Sequence, residues 1–451
     1  MTIEMNCPEC GKSYKLQDAL AGKKVRCKAC SAVMTVPKVE SLDDFADLVD
    51  EDDAEDYDSP PPKARRRSTV SRRSDDEDES PRKKRGKKKS GKSIWSSPSV
   101  WIGGIGAGFL LCMVICCGVL PGMLGDVMQK EMMKQAGIDP AKQIVFGDPT
   151  SLFPVTLVPV PMFPELGAAK VLEPSGVKVH FVQMTKQHGA APGHGMNFRV
   201  YVPPGDHAPQ SIPCVLVAPA GTNLLIGNDM DSDDYHKETL PYAEAGMAVI
   251  FYSLDGPCDM ANSKDAELGV AYLKFRAAMA GVVNGRNALE FAMAKLPQVD
   301  PKRIYSAGHS SAGNVSLLLA AHEPRLAASI GFAACSDVEA RLGPMNNAAT
   351  RILFPDLTNF LKQSSPKTHP TKINCPVFLF HAQDDSNVPV SDSQSFAQQL
   401  QAAGKKVELK LVPTGDHYQP MIDHGVPSAV AWLKGLNGPP AADNGAVIGS
   451  P

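Results

Sequence analysis

Residues from about 166 to 437 predict an α/β domain with a mostly parallel sheet and helices on both faces. In this region apolar runs typical of buried strands alternate with segments whose apolar residues recur at helical spacing. The strand-like run RIYSAGHS also passes directly into the helical pattern AGNVSLLLAAH. Such alternation indicates strands joined through helices, and these connections produce parallel pairing.

Each element follows from its own pattern. The predicted strands are MNFRVYVPP, PCVLVAPAG, GMAVIFYSL, RIYSAGHS, LAASIGFAA, CPVFLFHAQ and KVELKLVP. The predicted helices are RNALEFAMAKL, AGNVSLLLAAH, SDSQSFAQQLQAAG and PSAVAWLKGL. Their Ala, Leu and Met residues lie at core-packing positions, so we expect no cofactor there.

The rest of the 451-residue chain divides by composition. The net charge of −3 is uninformative about partners, because residues 41–60 are acidic whereas residues 63–92 contain fourteen Lys and Arg. Residues 38–98 have too few apolar side chains to offset the entropy of ordering, and they predict a disordered linker. Residues 438–451 predict a flexible tail.

Two CxxC pairs near the N-terminus predict a structural zinc site. Cys7 and Cys10 are separated by sixteen residues from Cys27 and Cys30. Four thiolates at this spacing suit tetrahedral Zn²⁺, and some 30 residues cannot otherwise bury a core. The segment resembles the zinc ribbons found at the N-terminus of many bacterial membrane and regulatory proteins. Its lysines predict a solvated face, and we do not expect a nucleic-acid partner.

One segment predicts a transmembrane helix over 99–121. Residues 100–120 contain no charged side chain, and a helix of that length spans roughly 30 Å, the thickness of a bilayer core. The basic block before the span places the N-terminus in the cytoplasm by the positive-inside rule. The sequence therefore predicts a single-pass membrane protein with its C-terminal domain outside, in the periplasm. Residues 122–165, partly proline-rich, predict a spacer between membrane and domain.

The strand-to-helix junction HSSAG has the pattern of a nucleophile elbow. A serine at the apex of this sharp turn needs small residues on either side, so that its hydroxyl is presented without a clash. Gly308 supplies the first, and Ala312 with Gly313 supplies the second. Ser310 is therefore the candidate nucleophile, although Ala312 departs from the usual Gly-x-Ser-x-Gly.

An acid and a base follow Ser310 in chain order. Asp385 follows the strand CPVFLFHAQ, and His417 follows KVELKLVP. Catalytic groups gather at the carboxyl ends of strands in open α/β sheets. His417 is expected to accept the Ser310 proton, and Asp385 to orient the imidazole. Asp384 and His424 are the respective alternatives.

The same segments resemble the prolyl oligopeptidase (peptidase S9) and dienelactone hydrolase branches of the α/β-hydrolase superfamily. The matching runs are VDPKRIYSAGHSSAGN, SPKTHPTKINCPVFLFHAQDDSNVP and PTGDHYQP. The resemblance covers residues from about 168 to 437 and implies an α/β-hydrolase fold with a Ser-Asp-His triad. The family pattern HGxxDxxVP aligns its acid with Asp385, and here Ala382 replaces the usual Gly. His381 is expected to be structural.

The resemblance also implies an oxyanion hole. One donor is the backbone N–H of Ser311, directly after the nucleophile, and the second comes from the loop APAGTNLL. Ala220, Gly221 and Thr222 are the candidates, with Gly221 and Thr222 preferred. The family usually carries His-Gly in this loop and this chain does not, so the second donor stays open.

Together these patterns predict a membrane-anchored serine hydrolase of an ester or peptide bond, with no catalytic cofactor. The part of the chain outside the domain is too short for the β-propeller of true prolyl oligopeptidases, which favours a small ester or carbohydrate ester. The alternative is a non-catalytic sensor that binds a ligand outside and signals to the ribbon. Four cysteines of the domain, Cys214, Cys258, Cys335 and Cys375, are expected as free thiols, with disulfide pairing in an oxidising compartment as the alternative.

Overall fold

The computed structural model describes residues 2–6, 12–17, 24–30, 33–35, 120–230, 235–260 and 262–436. Near the N-terminus it contains two antiparallel strand pairs. Strand β1 (Thr2–Asn6) pairs with β2 (Ser13–Gln17), and β3 (Lys24–Arg26) pairs with β4 (Val33–Thr35). In sequence, each predicted CxxC pair lies between the two strands of one of these hairpins.

A nine-stranded sheet forms the main domain, in the order β13-β12-β11-β10-β8-β9-β7-β6-β5. Six neighbouring strands, β13 to β9 in that order, are mutually parallel, and the last three pair antiparallel at one edge. The strands are β5 (Ala169–Leu172), β6 (Val177–Gln183), β7 (Asn197–Val202), β8 (Ile212–Val217), β9 (Ala248–Tyr252), β10 (Val299–His309), β11 (Ala328–Phe332), β12 (Val377–Ala382) and β13 (Val407–Val412).

Ten α-helices accompany these strands in the described part of the chain. They are α1 (Leu120–Ala136), α2 (Tyr235–Glu244), α3 (Asp265–Ala277), α4 (Val282–Lys295), α5 (Ser310–His322), α6 (Val338–Leu342), α7 (Ala348–Leu353), α8 (Leu357–Gln363), α9 (Val390–Ala402) and α10 (Val426–Leu436). A π-helical turn, Met421–Gly425, leads into the last of them.

The sheet separates two hydrophobic cores. Alternate residues of β9 face opposite sides: Ile250 belongs to the larger core, and Val249 and Phe251 to the smaller. The larger core includes residues of helices α3 to α6, α8 and α9, whereas α2 and α10 pack in the smaller one. The period of two along each strand therefore places helices on both faces, as the sequence predicts.

The seven predicted strands and four predicted helices are all present, with ends shifted by a few residues. The antiparallel strands β5 and β6 were not predicted from the sequence. β5 is a four-residue edge strand in which exposed and half-buried residues alternate, and β6 has only two buried residues, Val177 and Val182. Strands with so few buried residues have little of the apolar signal by which the central strands are identified.

The segment predicted as a spacer packs on the domain instead. Phe146 and Phe153 are buried in the larger core, and Arg286 donates hydrogen bonds to the carbonyl oxygens of Val155 and Val158. Arg276, whose side chain is 4% exposed, pairs with Asp356 and donates to the carbonyl oxygen of Ile144. These buried arginines bind carbonyl oxygens of residues 144–158, which form no α-helix or strand, so this stretch is part of the folded unit.

The predicted transmembrane helix falls outside the described residues, except for its last two positions at the start of α1. Among the described helices, none combines the length and the hydropathy that crossing a bilayer requires.

His322 holds the stretch around Phe153 against the domain, and protonation of its ring should lower the stability of the fold. Its Nδ1–H donates to the carbonyl oxygen of Leu318, and its Nε2 accepts the backbone N–H of Phe153 at 2.9 Å. Burial, with a smaller contribution from nearby His369, lowers the pKa of His322 to about 4. Because the unfolded chain binds this proton near pH 6.5, the contribution to stability is complete above pH 6.5 and is lost towards pH 4.

We expect this group to lower the free energy of unfolding by about 2 kcal/mol between pH 7 and pH 5. Urea unfolding of the full chain, followed by circular dichroism at both pH values, measures it. The His322→Gln variant should lose this part of the pH dependence, whereas His424→Gln, which changes an exposed histidine, should keep it. An equal pH dependence in wild type and His322→Gln would contradict the assignment.

Candidate active site

Ser310 lies at the apex of a sharp turn between β10 and α5. It has a φ of +54°, a conformation that a non-glycine residue adopts only where the surrounding structure imposes it. A Cβ on Gly308 would collide with the backbone of Ala312, and a Cβ on Gly313 would come within 2.7 Å of the Ala334 side chain. Ala312 itself is accommodated with its methyl group fully buried. The turn therefore has the nucleophile-elbow geometry despite the departure at Ala312.

Asp385 follows β12 and is held by four hydrogen bonds. Its Oδ2 lies 2.8 Å from Nδ1 of His417 and 3.0 Å from Nε2 of His381, and its Oδ1 accepts the backbone N–H groups of Asn387 and Val388. Its side chain is 0% exposed. Burial opposes ionisation, but the hydrogen bonds from the two histidines and the two amides outweigh it. They hold the pKa of Asp385 well below its usual range.

The neighbouring carboxylate, Asp384, has different contacts. It accepts the backbone N–H groups of Gly415 and Asp416 at 3.1 and 3.0 Å. These residues directly precede His417. The geometry thus distinguishes the two carboxylates: Asp385 contacts the imidazole, and Asp384 holds the loop that carries it.

His417 lies beside the elbow and is 17% exposed. Its ring centroid is 4.6 Å from that of His309, and His309 Nε2 donates to the backbone carbonyl of His417 at 2.9 Å. Because Ser310 directly follows His309, these contacts bring the histidine loop next to the candidate nucleophile. With Nδ1 facing Asp385, Nε2 is the nitrogen available to a hydroxyl. Within the described residues, no hydrogen bond joins Ser310 Oγ to His417.

His309 supports this arrangement as a neutral ring. Burial, together with the neighbouring His417, lowers the pKa of His309 to about 4. At neutral pH one ring nitrogen therefore carries a proton, and that nitrogen is Nε2 because it faces a carbonyl oxygen. The His309 ring thus adds no positive charge beside His417 that would oppose formation of an imidazolium there.

His381 contacts the candidate acid directly, which suits the structural role expected of it. The ring is fully buried, with Nε2 3.0 Å from both Asp385 Oδ2 and the carbonyl oxygen of Val388. Facing two acceptors, Nε2 carries the proton, and Nδ1 then accepts the hydroxyl of Ser393 at 2.8 Å. His381 therefore positions the carboxylate of Asp385. The contact joins positions four residues apart across the end of β12, which no sequence periodicity reveals.

The loop after β8 approaches the elbow from the other side. The backbone N–H of Thr222 donates to Ser311 Oγ at 3.2 Å, and Gly221 has a φ of +87°, which favours glycine. The carbonyl oxygen of Ala220 is bound by Asn228 and by the Tyr235 hydroxyl. Since a trans peptide directs its N–H opposite to its carbonyl, the Gly221 N–H is directed away from these two partners. Gly221 and Thr222 line the same cavity as Ser310, and they stay the candidates for the second oxyanion donor.

A cavity of about 240 Å³ lies between the elbow and the loop after β8. Ser310, Ser311, Gly221 and Thr222 line it. Its other walls are Leu224, Met260, Cys335, Arg341, Asn387 and Val388. Arg341 was not singled out in the sequence, because nothing local to DVEARLG marks it as lying near Ser310.

The remaining candidates lie apart from this cavity or add no reactive group to it. His424 is exposed on the π-helical turn, away from the Asp385 contacts. Cys214, Cys258, Cys335 and Cys375 are free thiols, as expected. Cys335 lines the cavity, but burial raises the pKa of its thiol to about 12, so it is not a nucleophile at neutral pH.

Only half of the predicted zinc ligands belong to the described residues. Cys27 is buried and Cys30 is exposed, and the Ala29 N–H lies 3.4 Å from Cys27 Sγ. Cys7 and Cys10 lie outside the described residues.

Residues 283–436 match the sequence model of the prolyl oligopeptidase family, described as Peptidase_S9. This third of the chain contains Ser310, Asp385 and His417. No curated protein matches the chain.

Many solved structures are similar to this chain at low sequence identity. An acetyl xylan esterase from Paenibacillus sp. R4 is 15% identical over 60% of this chain and 89% of its own, with a TM-score of 0.44. Dipeptidyl peptidase 4 of Porphyromonas gingivalis is 16% identical over 58% of this chain and 35% of its own, with a TM-score of 0.43. The acylaminoacyl peptidase of Pyrococcus horikoshii is 16% identical over 57% of this chain and 40% of its own, with a TM-score of 0.43.

The mostly parallel sheet with helices on both faces is the α/β-hydrolase fold, and the prolyl oligopeptidase match agrees with it. Together they support an enzyme of the serine hydrolase class that acts on ester or peptide bonds.

Proposed function

We propose that this protein hydrolyses its substrate through an acyl-enzyme on Ser310, with His417 as the general base and Asp385 as its partner. The observation that carries the proposal is the 2.8 Å contact between Asp385 Oδ2 and His417 Nδ1 beside the elbow. It leaves Nε2 of the same ring available to Ser310. A ligand-binding sensor has no need of a buried carboxylate that orients a histidine next to a strained serine.

The proposed reaction has two steps, acylation of Ser310 and hydrolysis of the acyl-enzyme. The Ser310 hydroxyl attacks the carbonyl carbon while its proton passes to His417 Nε2, and the N–H groups of Ser311 and of Gly221 or Thr222 stabilise the resulting oxyanion. Collapse of this intermediate breaks the scissile bond, and the imidazolium protonates the leaving oxygen or nitrogen. Water then attacks the acyl-enzyme by the same route, releasing the acid and restoring Ser310. Asp385 stays ionised throughout and stabilises the imidazolium.

Ser311 has a second effect on this site. Its hydroxyl accepts the Thr222 N–H in the structure, so that group is occupied before substrate binds. We propose that the Thr222 N–H is released when the Ser311 side chain rotates, whereas the Gly221 N–H needs no such change.

Among the possible substrates, a small ester fits the cavity best. A volume of about 240 Å³ accommodates a short acyl group together with part of the alcohol. This lies below the range of roughly 300–1,000 Å³ typical of pockets that enclose drug-sized ligands. A small ester or carbohydrate ester therefore ranks ahead of a peptide.

The N-terminal part is proposed to place this activity at a membrane. An uncharged stretch at residues 100–120 directly precedes the bulk of α1, and the basic block before it favours a cytoplasmic N-terminus and a periplasmic hydrolase domain. For the ribbon, Cys27 lies at a hairpin between β3 and β4 and has an amide near its sulfur, an arrangement suited to a metal-bound thiolate. Cys7, Cys10, Cys27 and Cys30 would hold a structural Zn²⁺.

A fluorophosphonate probe tests the catalytic proposal directly. The purified full-length chain should be labelled, and mass spectrometry of its peptides should locate a single adduct on Ser310. Heat-denatured protein is the control, because labelling then has no oxyanion hole or base to assist it. An adduct on another serine, or no adduct on folded protein, would refute the assignment of Ser310.

A further inference from the structure

One charged side chain lines the cavity beside the nucleophile. Arg341 belongs to the short helix α6, which follows β11 and is capped by the Asp337 side chain accepting the Ala340 N–H. Among the described residues that line the cavity, none is a carboxylate and none other is a cation. Within that part of the chain, Arg341 is therefore the one formal charge in the cavity wall beside Ser310.

The guanidinium group is held in place without being neutralised. Its Nη1 donates to the backbone carbonyl of Asn387 at 2.8 Å, and its Nη2 donates to Asn387 Oδ1 at 2.7 Å. Both acceptors are neutral. Asn387 is itself fixed, because its backbone N–H donates to Asp385 Oδ1 at 2.9 Å. The arginine is thus positioned through the same loop that holds the proposed catalytic acid.

The nearby carboxylates have other cationic partners. Asp337 pairs with Lys367, and Glu339 lies 3.6 Å from Lys362. Within the described part of the chain, no carboxylate lies within 4 Å of the Arg341 nitrogens. Three other described arginines, Arg276, Arg303 and Arg325, do have such a partner.

Guanidinium geometry determines what this site can bind. Arginine has five N–H groups in a planar fork, of which Asn387 uses two, so three remain. A fork that is held by two hydrogen bonds to neutral acceptors suits a planar anion such as a carboxylate, which accepts two parallel hydrogen bonds. Leu224, Met260 and Val388 provide apolar surface for the rest of the same ligand.

We infer that Arg341 selects substrates that carry a carboxylate close to the scissile ester bond, an inference that rests on the proposed function. The carboxylate binds the free edge of the guanidinium group while the ester carbonyl lies over Ser310. Asn387 acts as a positioning residue, because it orients the arginine.

Two isosteric pairs of esters test this inference with the full-length protein. The first pair, 3-acetoxybenzoate and 3-acetoxybenzamide, differs only in the charge on the alcohol side. The second pair, phenyl hydrogen isophthalate and phenyl 3-carbamoylbenzoate, differs only in the charge on the acyl side. The measured quantity is the ratio of kcat/KM for the anionic ester to that for its neutral match, in wild type, Arg341→Gln and Arg341→Lys.

We expect the wild type to prefer the anionic member of one pair, and Arg341→Gln to lower that ratio by about 10- to 100-fold, mainly through KM. Arg341→Lys keeps the charge but not the fork and should fall between them. Arg351→Gln removes an exposed arginine of helix α7 that does not line the cavity, and its ratio should equal that of the wild type.

One result would overturn the inference: the ratio is unchanged in Arg341→Gln for both pairs, because that variant slows the anionic and neutral esters by the same factor, as a merely structural residue does, or slows neither. If the wild type hydrolyses the neutral esters, this result refutes only the role of Arg341. Wild-type protein that hydrolyses no ester and takes no fluorophosphonate label refutes the proposed function, and this inference with it.

Discussion

Replacing Ser310 by alanine is expected to lower kcat for a short-chain 4-nitrophenyl ester by about 10⁴-fold or more. The reason is that alanine removes the hydroxyl that is proposed to form the acyl-enzyme. The fold should tolerate the change, because alanine keeps the Cβ that serine already has at this positive φ. It adds no atom at this half-buried position. Steady-state turnover of the full-length chain, with circular dichroism to verify folding, measures the effect.

Ser311→Ala is the matched control for this experiment. It removes a hydroxyl next to Ser310 in the same cavity but keeps the backbone N–H expected in the oxyanion hole. The variant also frees the Thr222 N–H from its present acceptor. We expect its kcat to stay within about tenfold of wild type. Loss of turnover in Ser311→Ala, with activity preserved in Ser310→Ala, would show that the nucleophile is Ser311 and not Ser310.

Replacing Asp385 by asparagine is expected to lower kcat by about 10³- to 10⁴-fold. An amide at this position can present its NH₂ group to His417, which favours the tautomer protonated at Nε2, and that nitrogen can no longer accept the Ser310 proton. The amide also lacks the negative charge that stabilises the imidazolium. Because hydrogen bonding holds the pKa of Asp385 well below its usual range, wild-type activity should show no acidic limb caused by this carboxylate.

Asp384→Asn supplies the comparison, since it makes the same chemical change one residue away. Its oxygens accept two backbone N–H groups of the His417 loop, and the amide oxygen of asparagine retains one of them. We expect a loss of about tenfold or less in kcat, with a lower stability of the loop. Kinetics of both variants at several pH values decide between them. An Asp384→Asn variant that is more damaged than Asp385→Asn would reverse the roles assigned to the two carboxylates.

The three residues of the candidate triad could all be predicted from sequence patterns. Ser310 was predicted because an elbow requires small residues at short, constant offsets from the serine, and all of them lie within six positions of chain. Asp385 and His417 were predicted from their places after strands, since parallel strands bring their carboxyl ends to one edge. Choosing Asp385 over Asp384 relied on the family pattern, and the structure shows a physical basis, because only Asp385 contacts the imidazole.

Other parts of the site depend on contacts between distant residues. Arg341 reaches Asn387 across 46 positions, and Thr222 reaches Ser311 across 89, so no spacing in the sequence indicates either contact. The same holds for the segment at 125–165, whose proline-rich composition is typical of a spacer. Its packing depends on Arg276 and Arg286, which are more than 120 residues further along the chain.

What the sequence by itself determined is the alternation of strands and helices, the elbow serine, and the order of acid and base. Each of these is encoded by periodicity or by the steric demands of a single turn. Only the tertiary structure decided that the Ser311 hydroxyl accepts the Thr222 N–H and that His381 and His417 share one oxygen of Asp385. It also placed Arg341 in the wall of the cavity. These features require side chains from separate loops to meet within hydrogen-bond distance, and only the packed sheet determines those distances.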